Sequence, residues 1–120
     1  MNSITYQSVI WDTKKQTIRK ARLSINLYEA VTPTGIIIWI PGMSDKPISD
    51  PDNPLLSYFI PRALKKGYSV AIICFPGTFD RRYIEERTLT TMKQNVRDAI
   101  AVLSKRVRNY PNLKKILIGR

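Results

Sequence analysis

Ile36-Ile37-Ile38-Trp39-Ile40, entered through Thr32-Pro33-Thr34-Gly35 and broken at Pro41-Gly42, decides the fold class. The run is apolar at every position and mostly β-branched, so neither of its faces is meant for water. Continuous runs of this kind are strands covered on both sides, as in parallel sheets flanked by helices. A central strand is therefore expected at Ile36–Ile40.

On its carboxyl side, a loop from Met43 to Pro54 carries Pro47, Pro51 and several Ser, Asp and Asn. A loop this long inside a domain points to function. Leu55, Leu56, Phe59, Ile60, Ala63 and Leu64 then recur at helical spacing. Pro61 interrupts them, and either kinks the helix or starts its main part after a preliminary turn, because a proline ring clashes with the turn before it. Lys65-Lys66-Gly67 reads as the helix end, with cations at the negative end of the dipole and a glycine for the left-handed cap. Tyr68–Phe75 is a second buried strand, broken at Pro76-Gly77. Residues 78–88 are polar and irregular. Met92, Val96, Ala99, Ile100, Leu103 and Val107 form a helical stripe opposite Lys93, Arg97, Asp98, Lys105 and Arg106. Lys115-Ile116-Leu117-Ile118 begins a further strand, followed by Gly119-Arg120.

On its amino side, Ala21, Leu23, Ile25 and Leu27 alternate with Arg22, Ser24, Asn26 and Tyr28. Period two with one polar face predicts a strand toward the flank of a sheet. Ser3–Trp11, like Thr17–Tyr28, is rich in Ile, Val, Thr and Tyr, and the polar stretch Asp12–Gln16 has hairpin length, so the two strands should pair antiparallel. The order is hairpin, strand, helix, strand, helix, strand. That alternation predicts an α/β domain over residues 1–120: a β-hairpin followed by parallel strands with crossover helices, the last strand at an exposed edge. Chemistry in such sheets lies at the carboxyl ends of the strands.

Composition bounds the rest. The 120 residues are 43% hydrophobic and 24% charged, which suits one globular domain, and 20 Lys and Arg against 9 Asp and Glu give a formal charge of +11. One cysteine, Cys74, allows no intramolecular disulfide, and it lies mid-strand as a small core residue. The start MNSITYQSVIWD has neither the basic head nor the apolar stretch of a signal peptide, and Ile36–Ile40 and Val70–Phe75 are too short to span a bilayer. A soluble cytoplasmic protein without a membrane span is expected.

Three local sequences in this order resemble the amino-terminal half of the α/β-hydrolase fold, the fold of many esterases, lipases and serine peptidases. Ile36-Ile37-Ile38-Trp39-Ile40-Pro41-Gly42-Met43 is similar to the family's third strand and its His-Gly turn, with Pro41 in place of the His. The resemblance makes the Met43 backbone N–H the candidate oxyanion-hole donor. Lys66-Gly67-Tyr68 through Phe75-Pro76-Gly77 resembles the end of the first helix, the fourth strand and its Gly turn, without the usual acidic and Arg residues before that Gly. Asn95–Ile100 and Lys115-Ile116-Leu117-Ile118-Gly119-Arg120 look like the second helix and the strand entering the nucleophile elbow. In a Gly-x-Ser-x-Gly elbow, Gly119 would be the first glycine and Arg120 the variable residue.

The resemblance implies serine-dependent hydrolysis of an ester, thioester or amide by the parent architecture. The serine would follow Arg120, and the family's acid and His come later still, so these residues are expected to be inactive alone. No catalytic residue, metal ligand or cofactor is assigned within them. The chain has no His and one Cys, no Gly-rich phosphate loop, and Asp45, Asp50 and Asp52 read as solvated loop acids. An open edge at Ile116–Ile118 leads us to expect self-association or pairing with a complementary hydrolase fragment. The alternative is a small basic α/β module for nucleic acid or another anionic partner, through Arg81-Arg82, Arg87, Arg97, Lys105-Arg106, Arg108 and Lys114-Lys115. These cations accompany no nucleic-acid motif, and several belong to the polar faces of helices.

Overall fold

The computed structural model describes residues 1–41, 53–78 and 81–119. Its centre is a mixed five-stranded sheet. The strands are β1 (Asn2–Asp12), β2 (Thr17–Tyr28), β3 (Gly35–Ile40), β4 (Tyr68–Ile73) and β5 (Lys114–Gly119), and the helices are α1 (Ile60–Lys65) and α2 (Leu89–Arg106). The strand order is β1-β2-β4-β3-β5, so β5 forms one edge and β1 the other. β1 pairs antiparallel with β2, and β2 antiparallel with β4, whereas β3 runs parallel to both β4 and β5. The hairpin, the parallel strands after it and the edge position of β5 are as the sequence pattern predicts. β4 is shorter than expected, ending at Ile73 rather than Phe75.

The apolar run that decides the fold class is divided between two cores. Ile36 and Ile38 face α2, where they join Ile25, Ile73, Ala99 and Leu103. Ile37 faces α1 with Val70, Ile72, Ile60 and Ala63. A helix on each face makes three layers, and this is why β3 tolerates no polar residue. Each fully buried branched side chain here stabilises the fold by about 2 kcal/mol.

Both helices begin and end for local reasons. Leu55–Phe59 forms a single wide turn in which the Ile60 N–H donates to the Leu55 carbonyl, and Pro61 then lies in the first turn of α1, where its missing donor costs nothing. Of the two readings of Pro61, the preliminary turn is the one realised. The left-handed Gly67 (φ +85°) ends α1, and its carbonyl accepts from the Thr34 N–H at 2.8 Å, tying the helix end to the entrance of β3. Helix α2 opens on a reciprocal cap: Thr88 Oγ1 accepts from the Thr91 N–H at 3.1 Å, and Thr91 Oγ1 accepts from the Thr88 N–H at 2.9 Å. Between β4 and α2, Arg81–Glu86 forms a 3₁₀ helix where the sequence reads as irregular.

Gly35 is a position where only glycine fits. A Cβ there would stand 2.4 and 2.6 Å from carbons of the Tyr68 ring and 3.0 Å from the Lys114 carbonyl oxygen. Gly35→Ala is expected to lower stability by about 1–3 kcal/mol, the usual cost of forcing atoms into a packed site. Urea denaturation measures it. A loss within experimental error would mean that Tyr68 swings aside freely.

Candidate functional site

β3 and β5 are parallel neighbours with Trp39 opposite Ile118 and Ile40 opposite Gly119. Adjacent strands lie about 4.8 Å apart. The carboxyl ends of β3 and β5 therefore lie side by side at the same end of the sheet. Pro41 is buried at the end of β3. Met43 and Arg120 lie outside the described residues, as do Asp45, Asp50 and Asp52. Gly119 is described, and a Cβ added to it would meet nothing within 4 Å. Packing among the described residues therefore gives no reason for glycine at 119.

At the same end, β4 runs into a tight turn. Thr78 N–H donates to the Phe75 carbonyl at 3.1 Å, with Pro76 and left-handed Gly77 (φ +86°) at the two central positions, the arrangement of a type II turn. Thr78 Oγ1 accepts from the Phe75 N–H at 3.0 Å. An arginine from farther along the chain completes it: Arg87 Nε donates to the Pro76 carbonyl at 2.9 Å and Nη2 to Thr78 Oγ1 at 3.1 Å, with the guanidinium carbon 5.3 Å from the Phe75 ring centre. The resemblance implies an Arg before Gly77, which this sequence lacks. The fold brings a guanidinium to that turn from a position where the sequence suggests only surface charge.

Lys115 of the basic set, and Arg19 outside it, are also held by the chain itself. Lys115 Nζ donates to the Leu113 carbonyl at 2.9 Å and stands 4.7 Å from the Tyr110 ring centre. Arg19 bridges Asp12 at 3.4 Å and Glu86 at 3.7 Å. Backbone N–H donation from Lys15 holds the Asp12 carboxyl below its usual range, with Lys14 N–H and Arg19 acting in the same direction. A groove of about 440 Å³ runs beside the β4 turn, floored by Ile10, Leu23, Phe75 and Pro76 with Arg19 and Arg22 along it.

Cys74 follows β4 directly and is buried, and its thiol is pushed up to about 11 by desolvation. At neutral pH it carries almost no thiolate, so it packs rather than reacts. Tyr6 donates to the Cys74 carbonyl at 3.2 Å, linking β1 to the end of β4.

The fold is similar to part of an esterase domain. The crystal structure of the esterase domain from a Rhodothermus marinus protein is similar to this chain over its full length, with a TM-score of 0.56 and 17% sequence identity. The chain spans 40% of that neighbour's length. No family model matches, and a search of curated proteins finds no match. Among the described residues, no helix is long and apolar enough to cross a membrane.

Pattern reading missed a polar cluster between the hairpin and α2. Asn95 is fully buried, and its Nδ2 donates to Ser8 Oγ at 2.7 Å and to the Val9 carbonyl at 2.8 Å. Ser8 Oγ donates to Asp98 Oδ2 at 2.7 Å, and Gln94 Nε2 to Asp98 Oδ1 at 2.9 Å. Asp98, assigned to the solvent face by its charge, is thus part of the contact that seats the hairpin. The available signal was positional: Thr91, Asn95, Ala99 and Leu103, spaced by four, are the innermost stripe of α2.

Proposed function

We propose that residues 1–120 form the amino-terminal part of a serine hydrolase sheet that acts on an ester, thioester or amide. In this reading the Met43 N–H donates to the oxyanion and Gly119-Arg120 lead into the nucleophile elbow. The observation that carries it is the pairing of Ile40 with Gly119, which starts the two segments from neighbouring strand ends. A backbone donor and an attacking oxygen must converge on one carbonyl group, and adjacent exits from parallel strands make that convergence available. The similarity of the fold to part of an esterase domain supports the same reading.

The test is the polypeptide continued beyond Arg120. Its sequence is expected to run on as Ser-x-Gly, and a fluorophosphonate probe should label that serine. In the longer polypeptide Met43→Pro, which removes the donor N–H, should lower kcat by about 10²–10³-fold with a smaller change in KM, the size found for loss of one oxyanion donor. A different continuation, or labelling elsewhere, would sink the proposal.

A further inference from the structure

The edge formed by β1 differs from the rest of this basic surface. From Asn2 to Trp11 it carries no charged side chain and no proline. Its register with β2 is one-to-one from Asn2–Leu27 to Asp12–Thr17, so no bulge interrupts it. Natural sheets protect long edges with lysines, prolines or bulges. β1 has none of these, whereas the opposite edge, β5, begins Lys114-Lys115.

The outward-facing backbone groups can be named. Ser24, which stands opposite Thr5, gives its carbonyl to the Cys74 N–H at 3.0 Å on the β4 side. Thr5 and Ser24 are therefore a non-hydrogen-bonded pair, and the N–H and C=O of Thr5 point away from β2. The Val9 carbonyl also points outward, since it accepts from Asn95. In a regular strand the same direction holds for Ser3 and Gln7. The cap from Asn95 closes the edge at Val9 and leaves Ser3, Thr5 and Gln7 open. Beside them runs a groove of about 460 Å³ between Thr5–Gln7 and the side of α2, where Asp98 stands toward one end and Lys105 and Arg106 toward the other, with Ala101 and Val102 between.

We propose that β1 is the association edge of this protein and that its occupant is β1 of a second copy, paired antiparallel about Thr5. Two five-stranded sheets then continue as one. The pairing is isologous: Thr5 meets Thr5 of the second copy, and Ser3 meets its Gln7. The outward N–H and C=O groups of each open residue exchange hydrogen bonds with the residue opposite. A second copy suits this edge because two molecules of charge +11 repel wherever cations face each other, and from Asn2 to Trp11 this strand carries no cationic side chain. The twofold also turns the Asp98 end of one groove wall toward the Lys105 and Arg106 end of the other. The inference stands independently of the proposed hydrolase chemistry.

The test is the mass of the 120-residue chain by light scattering and sedimentation over a wide concentration range, with circular dichroism of each variant. A concentration-dependent dimer is expected. Thr5→Lys sets two ammonium groups opposite each other, and Thr5→Pro removes an outward N–H that β2 does not use. Each should weaken the dimer at least ~10-fold while the spectrum stays native. Leu117→Lys on the β5 edge, where the sequence alone led us to expect self-association, should leave this dimer intact. Higher salt should tighten it by screening the net charge, opposite to its effect on binding to an oligonucleotide. A monomer at every concentration, a dimer indifferent to both Thr5 changes, or one lost in Leu117→Lys alone would overturn the proposal. Amide exchange supplies a second readout, since protection of the Thr5 and Gln7 N–H groups should rise with protein concentration.

Discussion

Incubated with an activated ester, the 120-residue chain is expected to release product no faster than the same chain unfolded. The reason lies in its side chains. Acyl transfer of this kind needs a nucleophile activated by a base, and these residues include no histidine. The lone thiol is buried and its ionisation is pushed to about pH 11, so it offers neither access nor thiolate. Oxyanion donation can stabilise charge only after an attack has begun. The contrast with the continued polypeptide should be large, since serine triads supply about 10⁶-fold in kcat over the enzyme lacking them. Turnover of the purified chain that follows the folded protein through chromatography would show that it holds a nucleophile we have not recognised.

Asn95→Asp is expected to cost about 3–5 kcal/mol at neutral pH, comparable with the whole stability of many domains of this size. Asn95 is fully buried and holds Ser8 Oγ and the Val9 carbonyl through its Nδ2, while its Oδ1 has no hydrogen-bond partner among the described residues. A carboxylate would lose both donations, set an anion against the Val9 carbonyl oxygen, and add a second charge near Asp98. Burial and the like charge both raise the folded-state pKa of the new acid above the ordinary value of about 3.9. The sign follows from linkage. Below about pH 4 the acid is protonated in both states and the charge penalty is absent; as pH rises toward the raised folded value, the unfolded state ionises first and stability falls. Denaturant titrations at acid and neutral pH, compared with wild type, should therefore diverge as pH increases. A pH-independent difference would mean that the hairpin detaches and lets water reach position 95.

The elements are legible in the chain because their signals are local. Ile36–Ile40 is apolar throughout because β3 is covered on both faces, and Lys65-Lys66-Gly67 marks a helix end because only the last residue takes a left-handed backbone at little cost. Charge misleads where contacts are distant. Asp98 carries the pattern of a solvated helix face, yet it accepts from Ser8 across a separation of 90 residues. Arg87 reads as surface charge, yet it secures the β4 turn. A periodicity records which face an element buries. It holds no information about which remote polar group comes to meet that face.

By itself, then, the sequence determined a hairpin followed by alternating strands and helices, with no charged side chain from Asn2 to Trp11 in an otherwise basic chain, since strand period, helix period and breaker residues act within a few positions. The tertiary structure alone decided that β3 lies between β4 and β5, and that Ile40 stands opposite Gly119. It also decided that Thr5 turns its backbone outward and that Asn95 closes the edge at Val9. Strand order and register depend on which hydrophobic faces and backbone groups satisfy one another across the whole fold, and a one-residue shift would exchange every inward side chain for an outward one.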